Sequence, residues 1–197
     1  MPLALGNLAA IQATDDQRDV ITFLSAPNAY GLRAGSVERI DTHISIVWLA
    51  GDGVYKLKRA VRFDYVDFST IELRRVACEA EVRLNRRTAP SLYRGVVPVT
   101  READGSMALR GRGVPLDWLV EMARFDQDTL FDRLAERDRL DVALMDGLAA
   151  AIVRLHASAE RRADRGGCDG MAWVVDGNAL GLRNKVRPSW TLRPASA

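Results

Sequence analysis

Gly51-Asp52-Gly53-Val54-Tyr55-Lys56-Leu57-Lys58 is the stretch that decides the fold, because it predicts a tight turn leading into a β-strand. The glycines accept the positive φ angles that a short hairpin turn requires. The run from Ile44 to Leu49, before the turn, is rich in β-branched and aromatic residues, as strands are. Since side chains alternate in direction along a strand, Val54, Lys56 and Lys58 are expected on one face. The stretch therefore predicts an antiparallel hairpin with two lysines on the same face.

A long helix is predicted after this hairpin. Ser69-Thr70-Ile71-Glu72 has the sequence of a capping box, in which the serine and the glutamate satisfy each other's free backbone N–H groups. The helical pattern ends near Arg87, before a proline. Its apolar residues recur at helical spacing, and they are Leu73, Val76, Ala77, Ala80 and Leu84. We expect these residues to face the core and the arginines of the helix to lie largely outside.

The remaining segments predict an α+β protein with an antiparallel sheet first and helices after it. Further strands are expected at Ser36 to Ile40, Gly95 to Arg101, Ser106 to Arg110 and Asp117 to Met122. A short helix capped by Asp15 or Asp16 precedes the sheet, helices at Asp128 to Arg137 and Asp141 to Glu160 follow it, and a mixed segment begins after Arg161. The predicted organisation is a disordered leader (residues 1–14), a sheet-bearing lobe (15–122), the start of a helical lobe (123–182) and an unstructured tail (183–197).

Composition excludes several classes of function. The net charge is only +2, from 28 basic and 26 acidic residues that are interleaved along the chain, so there is no clustered basic footprint for a nucleic acid. No apolar run reaches the length of a membrane span. The cysteines, Cys78 and Cys168, and the histidines, His43 and His156, have no disulfide or metal-ligand spacing. With no basic leading region typical of a secretory signal, a cytoplasmic protein without a bound metal is expected.

The lysines of the hairpin suggest a ligand-binding site. A valine two residues before a lysine on one strand face suits a nucleotide, because Val54 can cover the base while the ammonium of Lys56 reaches the phosphates. Such a lysine needs a carboxylate to hold it, and the long helix offers Glu79 and Glu81. We prefer Glu79, because Glu81 is followed closely by Arg83. The alternative interpretation is a solvated strand face with two surface lysines.

Several motifs together resemble the aminoglycoside phosphotransferase-like family, whose kinase-like domain is often fused to a P-loop ATPase domain. They are Thr42-His43-Ile44-Ser45, Val54 to Arg59, Asp67 to Thr70, Cys78 to Arg87 and Val120-Glu121-Met122. The resemblance runs from about Val20 to Leu182 and implies a kinase-like small lobe, followed by an incomplete helical lobe, that binds ATP with magnesium. It implies that Lys56, with Lys58 as the alternative, contacts the phosphates and that Glu79 is its partner. Thr42, His43 and Ser45 would then lie over the phosphates, and Glu121 with Met122 would form the hinge at the adenine.

The residues that would perform a phosphoryl transfer are missing from the sequence. The family uses an H-x-D loop, whose aspartate orients the acceptor hydroxyl, but Ser45 and Ser158 stand two positions after His43 and His156. The P-loop motif of the fused ATPase is absent as well. We therefore expect a truncated, catalytically inactive relative that retains nucleotide binding. The alternatives are a non-catalytic module that binds a protein partner and an unstable fragment without function, whose Ile152 and Leu155 face lacks cover.

Overall fold

The fold combines one large sheet with helices on both of its faces. The structure is a computed structural model that describes residues 16–33, 35–63, 65–162, 164 and 166–185. The strands are β1 (Glu38–Asp41), β2 (Ser45–Ala50), β3 (Gly53–Lys58), β4 (Arg62–Phe63), β5 (Val66–Asp67), β6 (Tyr93–Arg101), β7 (Met107–Leu109) and β8 (Val114–Ala123). The helices are α1 (Arg18–Leu24), α2 (Ile71–Asn85), α3 (Phe131–Glu136), α4 (Val142–Ala157) and α5 (Gly167–Lys185).

The large sheet has six strands in the order β1-β2-β3-β8-β6-β7, and every neighbouring pair is antiparallel. Strands β4 and β5 form a separate two-stranded hairpin between β3 and α2. The predicted α+β class is thereby confirmed. The predicted turn is confirmed too, since Ala50 pairs with Gly53 and only two residues join the strands. Gly51 takes a φ of 59° there, which a residue with a side chain adopts only under strain.

Each face of the sheet packs against a different helix. The face towards α1 holds the larger core, formed by Val20, Leu24, Ile46, Trp48, Tyr55, Leu57, Val97, Val99 and Leu119. The opposite face holds a smaller core, in which Cys78 and Val82 of α2 contact Val120 of β8. Lys56 pairs with Val120 across the ladder between β3 and β8, so the lysines of β3 lie on the α2 face, beside the smaller core.

The predicted orientation of α2 is wrong. Its buried residues are Arg74, Cys78 and Val82, whereas Leu73, Val76 and Leu84 of the predicted core stripe are 40%, 49% and 55% exposed. The predicted capping box is wrong as well. Thr70, one residue later than expected, is the N-cap, and its hydroxyl accepts a hydrogen bond from the Leu73 N–H. Helix α2 instead meets the sheet through a buried ion pair of Arg74 and through the packing of Cys78 and Val82.

That ion pair joins three parts of the fold. Arg74 of α2 donates to both oxygens of Asp117 in β8, at 2.9 and 3.1 Å, and to the backbone oxygen of Phe68. The Gln17 amide, immediately before α1, donates to the same carboxylate at 2.6 Å and to the Lys58 backbone oxygen at 3.0 Å. Both charged side chains are at most 1% exposed. Since a buried charge is tolerated only when it is paired and hydrogen-bonded, this network specifies how α1, α2 and the sheet meet.

The predicted helices after the sheet are present as α3 and α4, but α5 replaces the mixed segment that we expected after Arg161. It continues to Lys185, so the first three residues of the predicted tail are helical. The rest of that tail and the predicted leader lie outside the described residues. The chain divides into two compact units, residues 1–151 and 152–197. None of the described helices is long and apolar enough to cross a membrane.

Candidate functional site

Two lysines of β3 and one glutamate of α2 form a charged cluster on the α2 face of the sheet. The Lys56 Nζ lies 2.9 Å from one oxygen of the Glu81 carboxylate, and the Lys58 Nζ lies 2.7 Å from the other. Strand alternation puts both lysines on one face, and the position of Glu81 between the buried residues Cys78 and Val82 aims its carboxylate at them. The expectation that a carboxylate of the long helix holds Lys56 is confirmed.

The two lysines differ in how far they are covered. The side chain of Lys58 is 8% exposed, and its Nζ also lies 5.0 Å from the centre of the Phe68 ring, in a cation–π contact. The side chain of Lys56 is 29% exposed. Both ammonium groups share one carboxylate, so the three side chains together carry one excess positive charge. Lys56 is therefore the more exposed of the two lysines, and Lys58 is the more deeply buried partner of Glu81.

The preference for Glu79 as the helix partner is wrong. Glu79 forms an ion pair with Arg75 on the exposed side of α2, and its side chain is 48% exposed. Glu81 lies two residues later, which rotates it by about 200° around the helix, and it is 15% exposed. Glu79 was preferred because Glu81 is followed closely by Arg83, but Arg83 is exposed, and the helical spacing from the buried Arg74, Cys78 and Val82 places Glu81 on the side of α2 that faces the sheet.

Burial and the lysines act in opposite directions on Glu81. Burial alone raises the pKa of its carboxyl, but the hydrogen bonds from Lys58 and Lys56 outweigh it and leave the pKa below the usual value. The carboxylate is thus ionised at neutral pH and balances part of the lysine charge. Beneath the cluster, burial raises the pKa of the Cys78 thiol to about 12, so the thiol stays protonated and contacts the Trp118 backbone oxygen at 3.6 Å.

The loop from Thr42 to Ser45, expected to lie over the phosphates, forms the tight turn between β1 and β2. The Thr42 hydroxyl accepts from the Ser45 N–H at 2.9 Å, and the Thr42 N–H donates to the Ser45 backbone oxygen at 2.9 Å. Ser45 is 2% exposed, and its hydroxyl makes no hydrogen bond within the part of the chain that the structure describes. His43 is exposed, with its ring 6.5 Å from that of Phe63. In this arrangement Ser45 is covered, and of the three only His43 and Thr42 lie at the surface.

The predicted hinge residues, Glu121 and Met122, lie within β8 and are flanked by β3 and β6 on its two sides. Glu121 pairs with Tyr55, so its side chain is on the α1 face, opposite the lysines. There it is 7% exposed, and its carboxylate forms an ion pair with Arg110 and lies 3.6 Å from Arg94. Met122 is on the lysine face and packs against the smaller core. Strand β8 ends at Ala123, one residue beyond the predicted end at Met122.

Among the described residues, no group of three or more histidine, cysteine, aspartate or glutamate side chains could hold a metal ion. Both oxygens of Glu81 already accept hydrogen bonds from lysines. The cluster therefore suits an anion, whose oxygens accept from the remaining N–H groups of Lys56, and any magnesium ion would come with that anion.

The chain is similar to part of some longer mycobacterial proteins. It is 32% identical over 122 residues to "Uncharacterized protein Rv2004c" of Mycobacterium tuberculosis and, to the same extent, to "Uncharacterized protein Mb2027c" of Mycobacterium bovis. The aligned stretch is 61% of this chain but only 22% of either relative. No family model matches the chain, and no solved structure matches it.

Proposed function

We propose that this chain is a kinase-like nucleotide-binding domain, similar to that of the aminoglycoside phosphotransferase-like family, which binds ATP with magnesium through the phosphates. One observation carries the proposal: Lys56 projects from β3 and is held by a carboxylate of the neighbouring long helix, Glu81. In kinases a lysine on the third strand, paired with a glutamate of the following helix, contacts the phosphates. The antiparallel sheet with one long helix against it supports the same comparison.

Electrostatics favours an anion at this cluster. Two ammonium groups share one carboxylate in a partly buried place, where charges interact more strongly than in water. A phosphate group next to Lys56 balances the excess positive charge and accepts its free N–H groups. Because Glu81 already holds Lys56, little side-chain freedom is lost when the ligand binds.

Phosphoryl transfer by this chain alone is not part of the proposal. Neither His43 nor His156 is followed two positions later by an aspartate, and an aspartate in that loop orients the attacking hydroxyl in kinases. We infer that the domain binds a nucleotide without consuming it.

The test is thermal unfolding in increasing concentrations of Mg·ATP, since a ligand that binds only the folded state raises the melting temperature. We expect the intact protein to respond and Lys56→Met to bind about 10- to 100-fold more weakly, the loss of one charge-assisted hydrogen bond. Arg133→Met is the matched control, because it removes one positive charge from α3, where the side chain is 53% exposed. An equal response from Lys56→Met and the intact protein would contradict the proposal.

A second candidate function, a module that binds another protein, is favoured by the apolar side chains left exposed on α2 and α4. Leu73, Val76 and Leu84 of α2 and Val142 and Leu148 of α4 are all at least 40% exposed, and extended apolar patches mark interaction sites. This candidate predicts no melting shift with Mg·ATP in either the intact protein or the Lys56→Met variant.

A further inference from the structure

We propose that this site recognises the phosphate chain of its ligand and does not read the base. The inference rests on the proposed function and specifies the ligand class further: magnesium complexes of triphosphates, with or without a nucleoside. Recognising a base needs an apolar surface and backbone groups that are open to it. In the described structure, both of the features expected to provide them are already occupied.

The apolar surface is the first of these features. Val54, two residues before Lys56 on the same strand face, is 5% exposed, and its partner across the ladder, Leu49, is 3% exposed. On its other side Val54 pairs with Met122, which packs against the core beside α2. Because other protein groups cover Val54, a base could stack on it only after those groups had moved. The free energy gained by stacking would be offset by the cost of moving them, so stacking would contribute little to affinity.

The backbone at the end of β8 is the second feature. The Ala123 N–H donates to the Leu92 backbone oxygen at 2.8 Å, and the Arg124 N–H donates to the Asp52 backbone oxygen at 2.9 Å. These bonds tie the last residue of β8 to the residue just before β6, and the residue after β8 to the turn between β2 and β3. A base edge that took either N–H would exchange one hydrogen bond for another, which contributes almost nothing to affinity.

The Glu121 side chain does not supply the missing contact. It lies on the α1 face with Tyr55, and its carboxylate is held by Arg110. The position of Lys56 is different, since its side chain is 29% exposed and its ammonium group belongs to a cluster with excess positive charge. The groups open to a ligand are therefore those that recognise phosphate.

The experiment compares four ligands on the intact chain by melting shift at constant ionic strength: Mg·ATP, Mg·GTP, Mg·tripolyphosphate and adenosine. We expect the three triphosphates to bind within about threefold of one another, because they share the recognised group, and adenosine to give no shift. Lys56→Met should weaken all three triphosphates by the same factor, with Arg133→Met as the control.

Two outcomes would overturn the inference, and they differ in what else they overturn. Binding of Mg·ATP at least tenfold tighter than Mg·tripolyphosphate, or a shift with adenosine alone, would show that the base is read while the proposed function stands. If none of the four ligands shifts the melting temperature, both the proposed function and the inference are contradicted.

Discussion

Glu81 is the residue on which the charged cluster depends, because its two oxygens form ion pairs with two different lysines. Glu81→Gln keeps the shape but leaves two partly buried ammonium groups without an anionic partner. We expect the free energy of unfolding to fall by about 1–3 kcal/mol, the cost of leaving buried polar groups poorly satisfied, as measured by urea denaturation. Glu79→Gln is the control on the same helix: its ion pair with Arg75 is exposed, so we expect little change. Equal losses in both variants would contradict the assigned role of Glu81.

The same residue predicts a dependence on pH. Since the lysines hold the pKa of Glu81 below its usual value of 4.5, its contribution to stability is fully present above about pH 4.5 and is lost as the pH falls through the lowered value. The stability difference between the intact protein and Glu81→Gln should therefore be constant from pH 7 to about pH 5 and shrink below about pH 4.5. Urea denaturation at a series of pH values measures it. A difference that grows on acidification would show that Glu81 is not held as an anion.

At the scale of the elements, α2 is held to the sheet by Arg74 and Asp117, both fully buried. Arg74→Met preserves most of the volume but leaves the Asp117 carboxylate buried with, among the described residues, the Gln17 amide and the Trp118 N–H as its donors. We expect a loss of about 3–5 kcal/mol in the free energy of unfolding, as for other broken buried pairs. Chemical denaturation followed by circular dichroism is the measurement.

Two further variants separate the charge effect from simple loss of packing. Arg75→Met, one residue away but paired on the surface with Glu72 and Glu79, should cause no comparable loss. The double variant Arg74→Met with Asp117→Asn should be more stable than Arg74→Met alone, because it no longer buries an unpaired charge. A double variant less stable than the single one would show that packing, not charge, dominates at this position.

At the scale of the whole molecule, α4 carries apolar side chains that the described structure leaves open, among them Val142, Met145 and Leu148. A helix this apolar is normally buried against another part of a protein. The aligned relatives are much longer than this chain, since the aligned stretch is only 22% of their length. We expect the isolated chain to self-associate through α4. Met145→Glu with Leu148→Glu should shift sedimentation towards the monomer, as measured by analytical ultracentrifugation across a concentration series.

The matched control introduces the same two charges at exposed polar positions before α3, as Gln127→Glu with Thr129→Glu. This control should leave the sedimentation profile unchanged. If both double variants dissociate the protein equally, net charge and not the apolar face of α4 governs association.

Local signals predicted the hairpin and the lysines well but failed on the long helix. Gly51-Asp52-Gly53 specifies a turn through its own backbone preferences, and the alternation of side chains along the strand after it puts Lys56 and Lys58 on one face. The long helix also has a regular pattern, the helical spacing of Leu73, Val76 and Leu84. These side chains are nevertheless exposed. Which stripe a helix buries depends on its partner, and Arg74 could not be identified as buried before Asp117 was known to face it. Helix α5 was missed because its glycines weaken the local helical signal.

By itself, the sequence determined the α+β class, the turn between β2 and β3, and the shared face of the two lysines, since each follows from chain-local geometry. Only the tertiary structure decided that Glu81, and not Glu79, binds those lysines, that Arg74 lies in the interior, and that Glu121 points away from them. The contacts behind these three outcomes join residues that are between 11 and 43 positions apart in the sequence. They depend on the rotation of a helix and the face of a strand, which are set by packing between elements and not by the residues on either one.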